Sequence, residues 1–340
     1  MGEAMRRIEL SLSGVKVKFV NRDQALRQVE EWAVKGTYPV QVVYGPEGCG
    51  KTAWLKQSVE LLRELGFEVI YLNPIEKELV AETGVTDVKI RLAEILREAT
   101  ENTWVRIAWV VVDMVREIMR AGARKVAVLV DDVFQAIGLD KAAIYVKGLL
   151  GLIEYPPKPY DTIIAVAATS EGLSRREIGR HIWAYTLAIW NMTKDGFKQL
   201  YEQLPGDKPD FDTIWRVTGG NPRLLGELYR TGWSEDRVLD TIAASKKLKN
   251  LIANLSTEER TWLREAIEDP DTLFTRERMK LLNRLVELNL VIDDVPYRKN
   301  YLWIDKPPPE KDPELGIGEN VAWQSPLHRE AIKYVLKEYG

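Results

Sequence analysis

An apolar run, a glycine-rich loop and an amphipathic helix follow one another around residue 50, and this order constrains the fold more than any other feature. Residues 45–52 read Gly-Pro-Glu-Gly-Cys-Gly-Lys-Thr and fit the pattern G-x-x-x-x-G-K-[ST] at every position. A chance match in a chain of this length has a probability on the order of 1%. The segment therefore predicts a strand, a loop and a helix whose backbone N–H groups surround a phosphate.

The residue types in this loop suit a nucleoside triphosphate. Glycines let the backbone approach a phosphate closely. Lys51 is expected to contact the β- and γ-phosphates, and the Thr52 hydroxyl is expected to ligate Mg²⁺. The predicted nucleotide-binding residues of the loop and the helix start are Gly45, Pro46, Glu47, Gly48, Cys49, Gly50, Lys51, Thr52 and Ala53.

Cys49, the single cysteine of the chain, lies inside this loop. The favoured interpretation is a small residue that fits the turn. The alternative is a reactive thiol, because Lys51 and the helix N-terminus would lower its pKa. In that case alkylation of Cys49 would block nucleotide binding, and ATP would protect the thiol.

A second acidic motif follows the loop by about 80 residues: the apolar run Val126–Val130 ends in Asp131 and Asp132. Carboxylate oxygens suit Mg²⁺, so Asp131 is predicted to be a metal ligand. Asp132 is predicted to orient or deprotonate the attacking water, which makes Lys51 and Asp132 the candidate catalytic residues. The alternative is a solvated strand end, which is common after any apolar strand.

Short apolar runs alternate with helical patterns from residue 39 to residue 190. Strands that alternate with helices predict an α/β fold, here a P-loop parallel sheet covered by helices on both faces, within a domain of residues 1–190. One helical pattern, residues 86–120, fits either one long helix or two joined helices. The predicted strands are Pro39–Tyr44, Glu68–Leu72, Val126–Val130, Thr162–Ala168 and Trp183–Ile189.

The alternation stops after Ile189, and two further domains are predicted. Residues 191–255 read as a helical lid, with Asn221 and Pro222 starting one helix and a last helix over 235–255. Residues 256–340 begin with a capping box. Two helices, the second over 275–288, precede two strand-like runs joined by a polar loop, which matches a winged helix-turn-helix. Those two runs are Val291–Asp294 and Tyr301–Ile304.

Composition limits which partners, metal sites and cross-links this chain can have. Lys and Arg (48) nearly balance Asp and Glu (51), so the net charge of −3 does not indicate a nucleic acid. One cysteine and two histidines exclude an intramolecular disulfide and a Cys/His zinc site within one chain. No apolar run is long enough to span a bilayer. We expect a cytoplasmic protein without a membrane partner.

Four motifs together resemble one family. They are Asn21-Arg22-Asp23 upstream of the loop, the pair Asp131-Asp132, the segment Gly219–Pro222 and a C-terminal winged helix. This combination, over almost the whole chain, is similar to the archaeal branch of the STAND ATPases, which are relatives of the AAA+ origin-recognition initiators and the NB-ARC switches. The resemblance implies ATP as the nucleotide, Mg²⁺ as the metal and ADP as the product.

The resemblance also assigns roles outside the loop. Asn21 and Arg22 match a hydrophobic-Gly-Arg-Glu motif that lines the adenine, although Asn21 replaces Gly and Asp23 replaces Glu. Pro222 matches the Gly-x-Pro motif of the lid, which contacts the nucleotide. Their alternatives are a surface arginine and an ordinary helix start.

The family's γ-phosphate sensor follows the fourth core strand, which implies Thr169 or Ser170 here. The basic residue is displaced, and the candidates are Arg175, Arg176 and Arg180. Gln324–Leu327 takes the place of the Met-His-Asp motif of NB-ARC proteins, so the histidine contact to a diphosphate is expected to be absent. His328 is then expected to be an ordinary surface residue.

The function predicted is a slowly hydrolysing ATPase that acts as a nucleotide-dependent switch with a protein partner. One alternative is an initiator-like DNA-binding ATPase, in which Arg276, Lys280 and Arg284 form a basic stripe on the second winged-helix helix. Residues 246–340 carry 16 Lys and Arg against 17 Asp and Glu, a net charge of −1 that does not favour DNA. The other alternative is an inactive nucleotide-binding scaffold.

Overall fold

The computed structural model describes residues 6–97, 101–170, 172–293 and 295–339. The chain divides into two compact units. The first consists of Met1–Ile8, Arg22–Tyr44 and Lys51–Ala188, and the second of Glu9–Asn21, Gly45–Gly50 and Ile189–Gly340. The predicted boundaries at residues 190 and 255 stay a prediction.

The strands are, in chain order, β1 (Glu9–Leu12), β2 (Val15–Lys18), β3 (Val40–Tyr44), β4 (Glu68–Asn73), β5 (Glu78–Glu82), β6 (Lys125–Asp131), β7 (Thr162–Thr169), β8 (Ala184–Ile189), β9 (Val291–Ile292), β10 (Trp303–Ile304) and β11 (Ala322–Trp323). The helices are α1 (Asp23–Lys35), α2 (Lys51–Glu64), α3 (Thr86–Arg97), α4 (Glu101–Arg120), α5 (Val133–Ile137), α6 (Leu139–Glu154), α7 (Gly172–Gly179), α8 (Lys194–Glu202), α9 (Phe211–Thr218), α10 (Pro222–Arg230), α11 (Glu235–Ser245), α12 (Leu248–Ala253), α13 (Thr257–Glu268), α14 (Met279–Glu287) and α15 (Pro326–Tyr339). Short 3₁₀ helices span Pro270–Leu273 and Asn300–Leu302.

The first unit is built on a mostly parallel sheet with the strand order β8-β3-β7-β6-β4-β5. Strands β3 and β7 are buried along their whole length, as expected for parallel strands with helices on both faces. Alternate residues of β6 (Val126, Val128 and Val130) pack in one apolar cluster with α4 to α6, while α1 and α2 lie against β7, β4 and β6. The predicted α/β class and its strands are confirmed, and the carboxyl ends of β6 and β7 lie side by side.

Two features of the first unit differ from the all-parallel prediction. Strand β5 pairs antiparallel with β4 at the edge of the sheet, because a short turn after Asn73 returns the chain directly. The helical pattern over 86–120 forms α3 and α4, and residues 98–100 between them lie outside the described part. Among the described residues, no helix is long and apolar enough to cross a bilayer.

In the second unit, β1 and β2 form an antiparallel hairpin that the sequence reading missed. Lys18 N donates to Gln203 Oε1 (2.6 Å), and the Ser13 hydroxyl donates to Gly226 O (2.7 Å). The hairpin therefore packs on α8 and α10. Its alternating sequence around Ser13 and Gly14 is the signal that would have revealed it.

Two predicted helix starts of this unit are confirmed, and one predicted helix is not. Asn221 caps α10 with Pro222 in its first turn, and Ser256 and Glu259 form the predicted capping box of α13. The single helix predicted over 235–255 is wrong. Lys247 adopts a left-handed conformation (φ 52°), which separates α11 from α12.

The C-terminal strands pair differently from the predicted hairpin. Strand β9 pairs antiparallel with β11, not with β10, and Asp294 lies outside the described residues. The Arg298 guanidinium donates to carbonyl oxygens at Pro296, Pro309 and Gly318, which holds the connecting segment as a loop. The winged helix stays a prediction.

The predicted basic stripe is also changed. Helix α14 begins at Met279, so Arg276 lies in the turn before it and only Lys280 and Arg284 are on the helix. The helix starts four residues after the predicted start at residue 275, because residues 276–278 form a turn after the 3₁₀ helix Pro270–Leu273.

Candidate nucleotide-binding site

The glycine-rich loop has the conformation that its sequence requires. Gly48 and Gly50 have φ values of 77° and 101°, which side chains with a Cβ rarely adopt. A Cβ on Gly48 would lie 2.4 Å from Arg223 Cβ. Outside its chain neighbours, a Cβ on Gly50 would have the Pro222 ring as its closest contact, at 3.9 Å. Both positions therefore require glycine for their backbone conformation, and Gly48 requires it also for lack of space.

Lys51 and Thr52 are the first residues of α2 in the first unit. Lys51 is only 4% exposed, and a buried ammonium group requires anionic partners. Its charge acts on the Asp131 carboxylate, and the Thr52 hydroxyl stabilises the same carboxylate. The structure thus brings together three residues that the sequence assigned to one site, while Ala53 follows them on α2.

Asp131, at the end of β6, is fully buried. Burial raises its pKa well above the usual range, as does the charge of Asp132, while Thr52 and Lys51 act in the opposite direction. Asn73 Nδ2 donates to Asp131 Oδ2 at 3.1 Å. Among the described residues Asp131 Oδ1 accepts no hydrogen bond, although it is buried. One carboxylate oxygen is therefore left for a ligand that the chain itself does not supply.

Asp132 follows in a left-handed conformation (φ 47°, ψ 24°) at the start of α5. Such backbone strain is of order 1–3 kcal/mol and concentrates at functional sites. Asp132 Oδ1 accepts hydrogen bonds from Ser170 N (3.3 Å) and Ser170 Oγ (3.5 Å). The candidate sensor Ser170 therefore contacts the candidate catalytic carboxylate, and Thr169 beside it is a fully buried end of β7.

The donors in the first unit fit Mg²⁺. This ion prefers oxygen ligands, keeps several waters and usually takes one or two carboxylates together with substrate phosphates. Thr52 offers a hydroxyl, and Asp131 offers the oxygen that accepts no hydrogen bond. No group of three or more His, Cys, Asp and Glu side chains suited to a metal occurs in the described ranges, so a dedicated all-protein cage is not formed there.

The predicted adenine and lid residues have unusual backbones. Asn21 and Arg22 are consecutive left-handed residues (φ 59° and 61°), and Arg22 is buried at the start of α1. Asn21 Nδ2 reaches Thr193 Oγ1 at 3.5 Å. Pro222 lies against the loop at Gly50, as described above. Base contacts by Asn21, Arg22 and Pro222 stay predictions.

Of the three candidates for the basic sensor, the structure describes the side chain of Arg180 alone. Arg180 is exposed and pairs with Glu177 on α7 (3.2 Å). The side chains of Arg175 and Arg176 lie outside the described part of the structure, as does Glu171. An arginine that reaches a γ-phosphate stays unassigned.

The sequence reading missed the partners of Glu47 in the second unit. Its carboxylate contacts Arg223 Nη1 (2.6 Å) and Lys246 Nζ (2.7 Å). Its N–H donates to Gln324 Oε1 (2.8 Å), and its carbonyl accepts from Asn221 Nδ2 (2.9 Å). These residues are 174 to 277 positions away in sequence, so no local signal indicates them. Asn73 was also missed, although a polar residue at the end of a core strand is a usable signal.

The structure contradicts the expectation for His328 and agrees with the favoured interpretation of Cys49. His328 is buried, not on the surface, and its Nδ1 lies 2.8 Å from the Oγ of Ser325, the residue before α15. Burial and the charge of Lys246 lower its pKa to about 4. Cys49 is fully buried, which favours the interpretation as a small residue that fits the turn over the reactive thiol.

The chain belongs to a family of ATPase domains found predominantly in Archaea, whose family model matches residues 19–228. No curated protein matches it in sequence. Its fold is similar to the Aeropyrum pernix Orc1 protein in complex with DNA (15% identity, TM-score 0.39, 94% of this chain and 93% of that one). It is also similar to AMPPCP-bound DnaA from Aquifex aeolicus (19% identity, TM-score 0.37, 74% and 76%). At these values, neither likeness carries a conclusion about function.

Proposed function

We propose that this chain binds ATP and Mg²⁺, hydrolyses ATP slowly and acts as a nucleotide-dependent switch of the STAND class. The observation that carries the proposal is the arrangement of Thr52 and Asp131. A hydroxyl at the start of α2 stabilises a buried carboxylate at the end of β6 whose second oxygen accepts no hydrogen bond among the described residues. Membership of an archaeal ATPase family supports it.

The chain's own residues divide the work of binding. The backbone N–H groups of residues 48–52 and the N-terminus of α2 attract the phosphates. Lys51 adds a positive charge at the β- and γ-phosphates. Thr52 and Asp131 would hold Mg²⁺, which neutralises the developing negative charge when it is bound. Asn73 fixes the Asp131 carboxylate through its hydrogen bond to Oδ2.

Asp132 would orient the attacking water or accept its proton. Its carboxylate is held by Ser170 N and Ser170 Oγ, so its position depends on the end of β7. An aspartate reaches less far than a glutamate would, which fits slow turnover. Slow turnover suits a switch, because the ATP-bound state then persists long enough to be recognised.

The switch role rests on how the chain is divided. Residues 45–50 of the loop belong to the same compact unit as the helices and strands after Ile189. A change at the phosphate-binding loop is therefore expected to reach the helical segment 191–255 and the winged helix 256–340 directly. A protein partner would recognise this second unit. We expect the chain to work in the cytoplasm.

The test is nucleotide binding and hydrolysis in purified full-length protein. A fluorescent ATP analogue with Mg²⁺ should bind the wild type, and Lys51→Ala should weaken binding by roughly 100-fold or more. Lys89→Ala, which removes an exposed lysine from α3, is the matched control and should bind normally. Equal binding by the wild type and Lys51→Ala would refute the proposal.

Hydrolysis measured in parallel separates the alternatives. Stimulation by duplex DNA would favour the initiator-like interpretation. Binding without any hydrolysis, even at high temperature, would favour the inactive scaffold.

A further inference from the structure

Glu47 poses an electrostatic problem, because it places a carboxylate inside a loop that should attract phosphates. Two like charges within several ångströms repel each other in a partly solvated site. Glu47 is only 28% exposed at its side chain, so water screens it incompletely. An uncompensated Glu47 would therefore weaken nucleotide binding.

The second unit supplies the compensation from two helices. Arg223, the second residue of α10, contacts Glu47 Oε1, and Lys246, the residue that ends α11, contacts Glu47 Oε2. Lys246 is 17% exposed and Arg223 is 60% exposed. The Lys246 contact is thus the better shielded of the two, and it should be the stronger.

The neighbouring cations favour the ionised form of the Glu47 carboxylate. Burial alone would raise the pKa of Glu47, but Lys246 and then Arg223 outweigh burial, and the pKa is lowered. The backbone of the same residue is held on both sides, by Gln324 at its N–H and by Asn221 at its carbonyl. Arg223 N also donates to Gly48 O at 3.3 Å. The loop is therefore fixed to α10 and α11 through backbone and side chain together.

We propose that Arg223 and Lys246 are positioning residues for nucleotide binding: they neutralise Glu47, so the affinity of the loop for phosphate depends on where α10 and α11 hold these two cations. This inference rests on the proposed function of the same loop. If the helices moved away, Glu47 would be unpaired and would repel the phosphates. By linkage, a bound nucleotide favours the paired arrangement to the same extent.

The experiment is a set of matched variants of the full chain, with a fluorescent ATP analogue and Mg²⁺ as the probe. Lys246→Ala should weaken binding by about 10-fold and Arg223→Ala by about 3-fold, in the order of their shielding. Adding Glu47→Gln to either variant should restore the affinity to within about 2-fold of wild type, because the carboxylate that needed a partner is gone. Lys249→Ala, which removes an exposed lysine from α12, should bind like wild type.

The double variants separate neutralisation from direct contact. If Lys246 or Arg223 touched the phosphates themselves, Glu47→Gln would not rescue the loss, and the inference would be overturned. Failure of the wild type to bind at all, with Lys51→Ala unchanged, would instead refute the proposed function.

Hydrogen exchange gives a second measurement. If Arg223 and Lys246 only stabilised the fold, Glu47→Gln would not change the protection that nucleotide gives to α10 and α11. Adding the nucleotide should slow amide exchange in α10 and α11 of the wild type. In Glu47→Gln, compared at a nucleotide concentration that saturates this variant, the protection should shrink by about half or more, since the link through the carboxylate is lost. Full protection of both helices in Glu47→Gln would contradict the proposed link.

Discussion

Asp131 in the first unit and Glu47 in the second are both carboxylates that the sequence predicts to bind metal or nucleotide, yet their surroundings are opposite in kind. Asp131 is fully buried, and one of its oxygens accepts no hydrogen bond from the described residues. Glu47 has a cation at each oxygen and a hydrogen bond at each backbone group. Asp131 therefore has an oxygen that a bound ligand can contact, whereas Glu47 is already paired with side chains of the protein itself.

This difference has a physical consequence for the apo protein. A buried, incompletely paired carboxylate costs stability that only a bound cation can offset. A carboxylate between two cations contributes stability, provided that both cations stay in place. Ligand binding should therefore matter most at Asp131, and internal rearrangement should matter most at Glu47.

The largest expected effect is on ATP hydrolysis, and it tests whether Asp131 holds Mg²⁺. Asp131→Asn keeps the shape but removes the charge that would hold Mg²⁺, so ATP hydrolysis should fall on the order of 1000-fold. Steady-state phosphate release at saturating Mg²⁺ measures it. Asp140→Asn on α6 is the control and should hydrolyse normally. Wild-type rates in Asp131→Asn would remove Asp131 from the site.

The next effect is on the pH dependence of stability and concerns His328, a buried residue whose pKa is influenced by Lys246, Glu47 and Arg223. Its pKa is lowered to about 4, first by burial and then by Lys246, with Arg223 acting the same way and Glu47 in the opposite direction. Because the folded pKa lies below the ordinary value of 6.5, stability is fully present above pH 6.5. It is lost as the pH falls through 6.5 towards 4, by roughly 3 kcal/mol in total.

Urea unfolding at pH 7.5 and pH 4.5 measures this loss. His328→Gln should lose less stability than the wild type between the two values. The exposed His181 provides the control, because His181→Gln should keep the wild-type pH dependence. An unchanged pH dependence in His328→Gln would show that His328 is not buried as a neutral side chain.

A substitution at Asn221 tests how much the hydrogen bond to the Glu47 backbone carbonyl contributes to stability. Its side chain caps α10 at Leu224 N and donates to Glu47 O and to Asn191 Oδ1. Asn221→Ala removes a buried cap and leaves two acceptors unsatisfied, so the free energy of unfolding should fall by about 2 kcal/mol. Asn254→Ala, at the exposed end of α12, should cost less than half as much. Equal losses would mean that Asn221 is only a helix cap.

The first unit was largely predictable because its signals are local. Each core strand is an apolar run of strand length, and the loop spacing is specific enough to fix the order β3, loop, α2. Asp131 could be assigned because an apolar run that ends in two carboxylates follows the loop by about 80 residues. Strand β5 could not be, since Glu78–Glu82 has too weak an alternation to indicate an edge strand.

The second unit was less predictable because its decisive contacts are distant in sequence. The pairing of β9 with β11 skips the nearer candidate, and Arg298 holds the segment between them as a loop. The left-handed Lys247 divides a helical pattern that has no glycine or proline at that point. Likewise, Glu47 looked like an ordinary position of the loop pattern until its four partners were seen.

The smallest expected effect is on the free energy of unfolding. It tests the comparison most directly, because substitutions of Asp131 and Glu47 should change this free energy in opposite directions. Without nucleotide or metal, Asp131→Asn should raise the free energy of unfolding, since it removes a charge that is costly to bury. Glu47→Gln should lower it, since two cations lose their partner. Each change should be about 1 kcal/mol or less, because Glu47 is partly exposed and Asn73 still contacts residue 131.

Urea unfolding in the presence of a chelator measures both changes under identical conditions. Glu177→Gln, which breaks the exposed pair with Arg180 on α7, is the control and should change the stability by a few tenths of a kcal/mol at most. With Mg²⁺ and an ATP analogue present, Asp131→Asn should instead be less stable than Glu47→Gln. Only a protein that keeps Asp131 gains stability from the bound cation. The same sign for both substitutions would mean that the two carboxylates are held alike.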